Sequence, residues 1–302
     1  MDDKDAIMYD EGFKSIFAYK VMLAITLKSL IPEYKDSSIE DIRDKYIQGD
    51  LKTDIHSDKI SISGAGVEDG HVRYDVKFDA LLPEATDKHM KVIINIEGQK
   101  NSSSLPYRIV TRGIYYACNM LSSEYGTYFS NSHYEKLEKV YSIWISMSPN
   151  EKEKGSIIRY RMSEENLTND FREEKENYDK LEVVLFNLGQ IDDNSHISYN
   201  EQKIMKSLTE IFSGHSNKKD SIALMEQEYR TEFPESMKEE MVNVCNWNEV
   251  FEERGMIKGA EQTKIENALR MIADGELTLE KIASYTDLPL EKVQELAAKK
   301  SA

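Results

Sequence analysis

Between residues 71 and 82 apolar and polar side chains alternate, with Val72, Tyr74, Val76, Phe78 and Ala80 on one parity and Arg73, Asp75, Lys77 and Asp79 on the other. A period of two is that of a strand with one face buried and one polar. An apolar run, Ile93-Ile94-Asn95-Ile96, then ends in Glu97-Gly98-Gln99 and predicts a second strand over 91–98, with Pro83 to Lys88 supplying the reversal. Residues two apart share a face. Glu97 and Gln99 therefore project together, and antiparallel pairing brings them against Asp75 or Asp79.

The pattern changes period elsewhere. From Asp10 to Leu30, Phe13, Phe17, Val21, Ala24, Ile25 and Leu27 recur at helical spacing up to Pro32, which predicts one amphipathic opening helix. Asp36-Ser37-Ser38 caps a short helix over 39–46, Lys59 to Ser63 reads as a strand, and Gly64 to Gly70 as a turn. Ser102-Ser103-Ser104 precedes a helix over about 107–123, and strands follow at 140–147, 157–161 and 181–188 around a polar excursion from Ser163 to Asp179. Helix, three strands, helix, strand is the order of an α/β core with a mixed sheet.

Beyond Gly189 the pattern is helical: 201–212, a break at 213–217, Lys218-Lys219-Asp220 as a solvated connector, a run over 236–273 interrupted by Gly255 and Gly259, and two short helices around Asp287-Leu288-Pro289. Three regions are predicted, 1–190 as the α/β domain, 191–275 as a helical extension and 276–302 as a small helix-turn-helix-like tail.

Composition narrows the function. At 302 residues with 40% hydrophobic and 31% charged residues the chain has ample material for a core. A formal net charge of -16 repels polyanions over the whole surface, so nucleic acid must be met by a local basic lining. Cys118 and Cys245 lack any paired spacing, the six histidines are scattered, and Lys20 and Lys28 interrupt the most apolar stretch. A disulfide framework, a structural zinc site and a membrane span are not expected, and the setting read from these features is the cytoplasm.

Two acids converging at the end of a sheet repel unless they are protonated or bridged. A hard cation such as magnesium satisfies them with few protein ligands and leaves waters for attack on phosphate. The plain alternative is a half-exposed strand pair whose polar face does nothing. Arg108 and Arg112 lie four apart at the start of the 107–123 helix, where they either meet phosphates or neutralise acids; Lys100 should point away from Glu97 by alternation; Glu11 lies in the first turn of the opening helix.

Tyr74-Asp75-Val76-Lys77-Phe78, then Ile93 to Lys100, Val110-Thr111-Arg112-Gly113-Ile114-Tyr115-Tyr116, and Val140-Tyr141-Ser142-Ile143-Trp144-Ile145 together resemble the PD-(D/E)XK nuclease family transposases, related to the recombination-promoting nucleases. Phe13-Lys14-Ser15-Ile16-Phe17 is similar to that group's first helix, and the resemblance covers roughly residues 8–190. It implies a restriction-endonuclease-like core with a mixed central sheet flanked by helices, joined here to an α-helical C-terminal region. It also implies a Mg2+-dependent (or Mn2+-dependent) DNA endonuclease associated with transposition or recombination, in which Asp75 and Glu97 hold the metal and Gln99 stands where the wider superfamily has lysine. Asp79 competes with Asp75 for the ligand role, and the Tyr-Asp-Val-Lys-Phe match favours Asp75. Further candidates for the site are Lys100, Glu11, Arg108 and Arg112. The rival reading is a nuclease-like scaffold with weakened chemistry that serves as a protein-interaction or regulatory module. The second tail helix opens Pro289-Leu290-Glu291, too acidic for base readout, so packing or homo-oligomerisation is the expected role of the tail.

Overall fold

The computed structural model describes residues 11–48, 66–68, 71–83, 91–101, 105–192, 195–213 and 218–301. They fall into two compact units, Asp2–Trp247 and Asn248–Ala302. The first begins with helices α1 (residues 11–17) and α2 (Lys20–Leu30) and a helical turn α3 (Ile39–Asp41) that runs into a π-turn. Strands β1 (Ile47–Gln48), β2 (Gly66–Glu68), β3 (His71–Arg73), β4 (Val76–Leu81) and β5 (Lys91–Asn101) follow. Helix α4 (Ile109–Ser123) leads to β6 (Lys139–Ser148), β7 (Ile157–Arg161), a single turn α5 (Lys175–Tyr178) and β8 (Leu181–Asn187). Helices α6 (Tyr199–Ser213), α7 (Lys218–Tyr229) and α8 (Glu235–Asp274) complete the series, α8 running on into the second unit.

The fold is mixed α/β. Among the described residues six strands form one mixed sheet in the order β1-β4-β5-β6-β8-β7, with β2 and β3 pairing separately. β4 pairs antiparallel with β5, whereas β5 with β6 and β6 with β8 are parallel, and α4 is the crossover that the parallel β5–β6 step requires. The central strands are apolar on both faces because both faces are covered. On one face Tyr116, Ala117 and Met120 of α4 pack on Ile93, Val140, Trp144 and Val183. Gly113 lets that helix approach: a Cβ there would stand 2.7 Å from the Val183 side chain and 2.9 Å from the Trp144 indole nitrogen. Val21 to Leu27 and Leu30 are all buried in α2, which packs against α6, as expected of a helix that is apolar all round.

Several local expectations change. The single opening helix is two helices broken at Ala18–Tyr19, where Tyr19 is extended and its hydroxyl lies 2.9 Å from Ser236 Oγ. The alternating strand over 71–82 is also two, because β3 pairs with β2 and β4 with β5, leaving Tyr74 and Asp75 in the bend between them. Arg108 is the N-cap residue of α4 and not part of the helix. Lys218-Lys219-Asp220 opens α7 and is not a connector, and α8 continues through Gly255 and Gly259, whose cost of about 1 kcal/mol each does not outweigh forty residues of helix. The strand at 59–63, the serine cap at 102–104 and most of the 83–88 reversal lie outside the described residues.

In the second unit, the end of α8 packs with α9 (Leu279–Thr286) and α10 (Leu290–Ser301) around Ala268, Ile282, Leu288 and Val293. Thr278 caps α9 by accepting from the Lys281 amide, and Asp287 closes it in the left-handed conformation, φ 55°. Among the described residues no helix is long and apolar enough to cross a membrane.

Candidate active site

The register of β4 against β5 sets Val76 opposite Ile96, Phe78 opposite Ile94 and Asp79 opposite Ile93. One step beyond Val76 the chain leaves the ladder, and Asp75 takes over by side chain what the strand no longer does by backbone. Its Oδ2 accepts the Gly98 amide at 3.0 Å, while its own amide donates to Glu97 Oε1 at 3.0 Å. The two carboxylates are thereby interlocked, and both residues are buried, 1% and 2% exposed. Lys14 of α1 brings its ammonium to 3.4 Å from Asp75 Oδ1.

Gly98 makes that approach possible. A Cβ at this position would lie 2.5 Å from the Phe13 ring, so a strand residue without a side chain is what allows α1 to rest on β5. Phe13 also stacks on Phe17 at 4.4 Å, and with Phe13 fixed Lys14 is directed at Asp75.

Strand alternation places Glu97 and Gln99 on the sheet face covered by α4, with Gln99 half-buried. In register with Gln99 stands Ser146 of β6, and in register with Ser146 stands Asn187 of β8, both buried. A polar row thus crosses the carboxyl ends of three parallel strands. The aromatic flank beside it is charged by Arg112, whose guanidinium lies 5.0 Å from the Tyr116 ring and 5.1 Å from Trp144. Arg112 Nη2 donates to the Tyr116 hydroxyl at 2.6 Å and Nη1 to that of Tyr107 at 3.0 Å. Burial, reinforced by the Glu97 charge, pushes the Tyr74 phenol above its usual pKa, and Tyr116 is raised by burial against the opposing pull of Arg112. Both phenols are neutral at ordinary pH.

Of the residues singled out from sequence, Asp75 and Glu97 come together, and Gln99 follows two positions along the same strand face. Asp79 does not join them: it pairs with Ile93 four positions from Glu97, and Tyr128 donates to its Oδ2 at 2.8 Å. Arg108 is exposed and 3.7 Å from Glu153, so it does not share a face with Arg112, which is engaged with aromatic rings. Glu11 is exposed one turn before Lys14. Lys100 lies in β5, and its side chain is outside the described residues. Sequence reasoning missed Lys14, Ser146 and Asn187. The serines at 142, 146 and 148, sharing one parity in an otherwise apolar strand, were the signal for the row.

Compared with known proteins, the chain matches no family model, no curated protein and no solved structure.

Proposed function

We propose that the first unit carries a PD-(D/E)XK nuclease core and that the protein is a metal-dependent DNA endonuclease working in transposition or recombination. The observation that carries the reading is the interlocked pair of buried carboxylates, Asp75 and Glu97, at the carboxyl end of β5. Open α/β sheets take their ligands at the carboxyl ends of their strands, and here that end continues into the row Gln99, Ser146 and Asn187. The strand order, an antiparallel β4–β5 pair continued in parallel by β6 after α4, also suits the nuclease reading.

The donor chemistry fits magnesium, with manganese as its substitute. Among the described residues no group of three or more His, Cys, Asp or Glu is arranged to hold a metal ion, and two carboxylates are what this hard cation uses when waters and phosphate oxygens complete its shell. When bound, the cation supplies Lewis acidity that eases deprotonation of water and neutralises charge developing on phosphate. Asp75 and Glu97 are the residues that would hold it. Gln99, with one amide oxygen and two N–H donors, orients water or a phosphate oxygen. Against an overall charge of -16, contact with DNA would fall to cations close to these acids, of which Lys14 is 3.4 Å from Asp75 Oδ1 and Lys77 is 5.0 Å from the Tyr74 ring.

One observation favours the rival reading of a scaffold with weakened chemistry. The same reciprocal hydrogen bonds fasten the start of β4 to β5, a structural task that asks nothing of catalysis. Plasmid cleavage by the purified protein with magnesium or manganese, and its loss in EDTA, decides between them. Cleavage that persists in EDTA, or none with either metal, would contradict the endonuclease reading.

A further inference from the structure

Attack on a phosphodiester adds negative charge to the phosphate oxygens, and a preorganised cation stabilises that charge where an amide cannot neutralise it. Among the described side chains of the strand, Gln99 is the polar neighbour that shares the face of Glu97. A cation comes from another element of the fold: Lys14, with its side chain 14% exposed, has its ammonium 3.4 Å from Asp75 Oδ1. Its position is anchored, because Phe13 lies on Gly98 and both Ile16 and Phe17 are fully buried. A lysine has three donors on a flexible stem, so one can stay with Asp75 while another turns to a phosphate oxygen.

Resting on the nuclease reading, we propose that Lys14 of helix α1 supplies the positive charge that Gln99 does not, donating to the phosphate at the Asp75–Glu97 pair. In the step it serves, a water oxygen forms a bond to phosphorus as the bond from phosphorus to one sugar oxygen breaks. The proton lost by water passes to solvent, and the departing sugar oxygen takes one from solvent. Lys14 remains an ammonium throughout.

The test uses full-length protein carrying Lys14→Met, Gln99→Lys, or both, with plasmid DNA as substrate and calorimetric titration of Mn2+ as a second readout. Lys14→Met is expected to lower the cleavage rate constant at saturating metal by about 100-fold, in the range of other lost charge-stabilising donors. Its affinity for Mn2+ should not weaken, because the ammonium is not a ligand. Adding Gln99→Lys to Lys14→Met should recover at least about tenfold of the lost rate, since it returns an ammonium to the same acids. Lys14→Gln, which still donates to Asp75, carries the same expectation if the methionine variant fails to fold. Cleavage at the wild-type rate without Lys14, loss of Mn2+ binding together with the rate, or no recovery in the double variant would each overturn the proposal while leaving the nuclease reading in place. Absence of wild-type cleavage would overturn both.

Discussion

Carboxylates are buried at both ends of the parallel strands, and the two ends treat them differently. At the amino end, Glu33, Asp179 and Glu182 converge on Lys139 Nζ at 3.4, 2.8 and 3.9 Å. Arg159 bridges Glu182 and Glu201 at 3.1 and 2.8 Å, and the Tyr141 hydroxyl donates to Glu33. Each of these acids meets a cationic side chain. At the carboxyl end, Asp75 and Glu97 interlock through backbone amides, with Lys14 at the edge. Amides satisfy hydrogen bonds without carrying a full charge, so here two carboxylates are fastened by backbone dipoles alongside the Lys14–Asp75 ion pair. The first arrangement binds its acids through ion pairs with Lys139 and Arg159; the second sets two acids against each other's backbone, and on that placement the proposed cation site rests.

The largest expected effect separates chemistry from stability. Glu97→Gln keeps an oxygen that can accept the Asp75 amide but removes the charge. Metal-dependent plasmid cleavage should fall by about 1000-fold or more, equivalent to several kcal/mol of transition-state stabilisation, while the melting temperature stays within about 3 °C of wild type. A variant that cleaves normally, or that unfolds, would place Glu97 with the structural acids instead.

At the other end the order should reverse. Lys139→Met leaves Asp179, Glu182 and Glu33 without their shared cation, and breaking a buried pair on one side costs about 3–5 kcal/mol, measurable by urea unfolding. Cleavage per folded molecule should be unchanged. Between these extremes lies Gly98→Ala, whose new methyl must displace the Phe13 ring. It should cost about 1–3 kcal/mol as overpacking and should also lower cleavage, because Lys14 moves with its helix. Loss of stability without loss of cleavage would uncouple α1 from the site.

The smallest expected effect is on acid stability. Burial raises the Asp179 carboxyl, but the hydrogen bond and charge of Lys139, with Lys175, outweigh it and hold the group below its usual range. Glu201 is likewise raised by burial and brought below its usual value by Arg159 and the Ser198 cap. A depressed folded-state pKa contributes stability that is complete above the ordinary carboxylate value of about 4 and disappears as pH falls through the lower folded value. The urea midpoint should therefore fall below about pH 4, and Asp179→Asn should make that fall shallower. An unchanged slope would remove Asp179 from the linkage.

How much of this was legible in the sequence follows from how local each signal is. The strands at 76–81, 91–101 and 139–148 and the helix at 109–123 announce themselves by period and apolar content, and parity alone sets Glu97 beside Gln99. The change of partner at Tyr74–Asp75 is invisible, because the alternation runs on through the bend while the ladder switches from β2 to β5. The helix break at Tyr19 is equally silent, since its hydroxyl is engaged by Ser236, far along the chain. Lys14 escaped for the same reason: its link to Asp75 depends on Phe13 resting on Gly98, a contact between segments that no spacing rule connects. Arg112 was visible as a cation, but the rings of Tyr107, Tyr116 and Trp144 that claim it come together only in the fold.

The proposed function requires the Asp75–Glu97 pair, and not the acids around Lys139, to be the divalent-cation site. Calorimetric titration of Mn2+ into wild type, Glu97→Gln and Glu182→Gln tests it without a substrate. Saturable binding is expected for wild type and Glu182→Gln, and its loss in Glu97→Gln. Binding absent from wild type, or undiminished by Glu97→Gln, would contradict it.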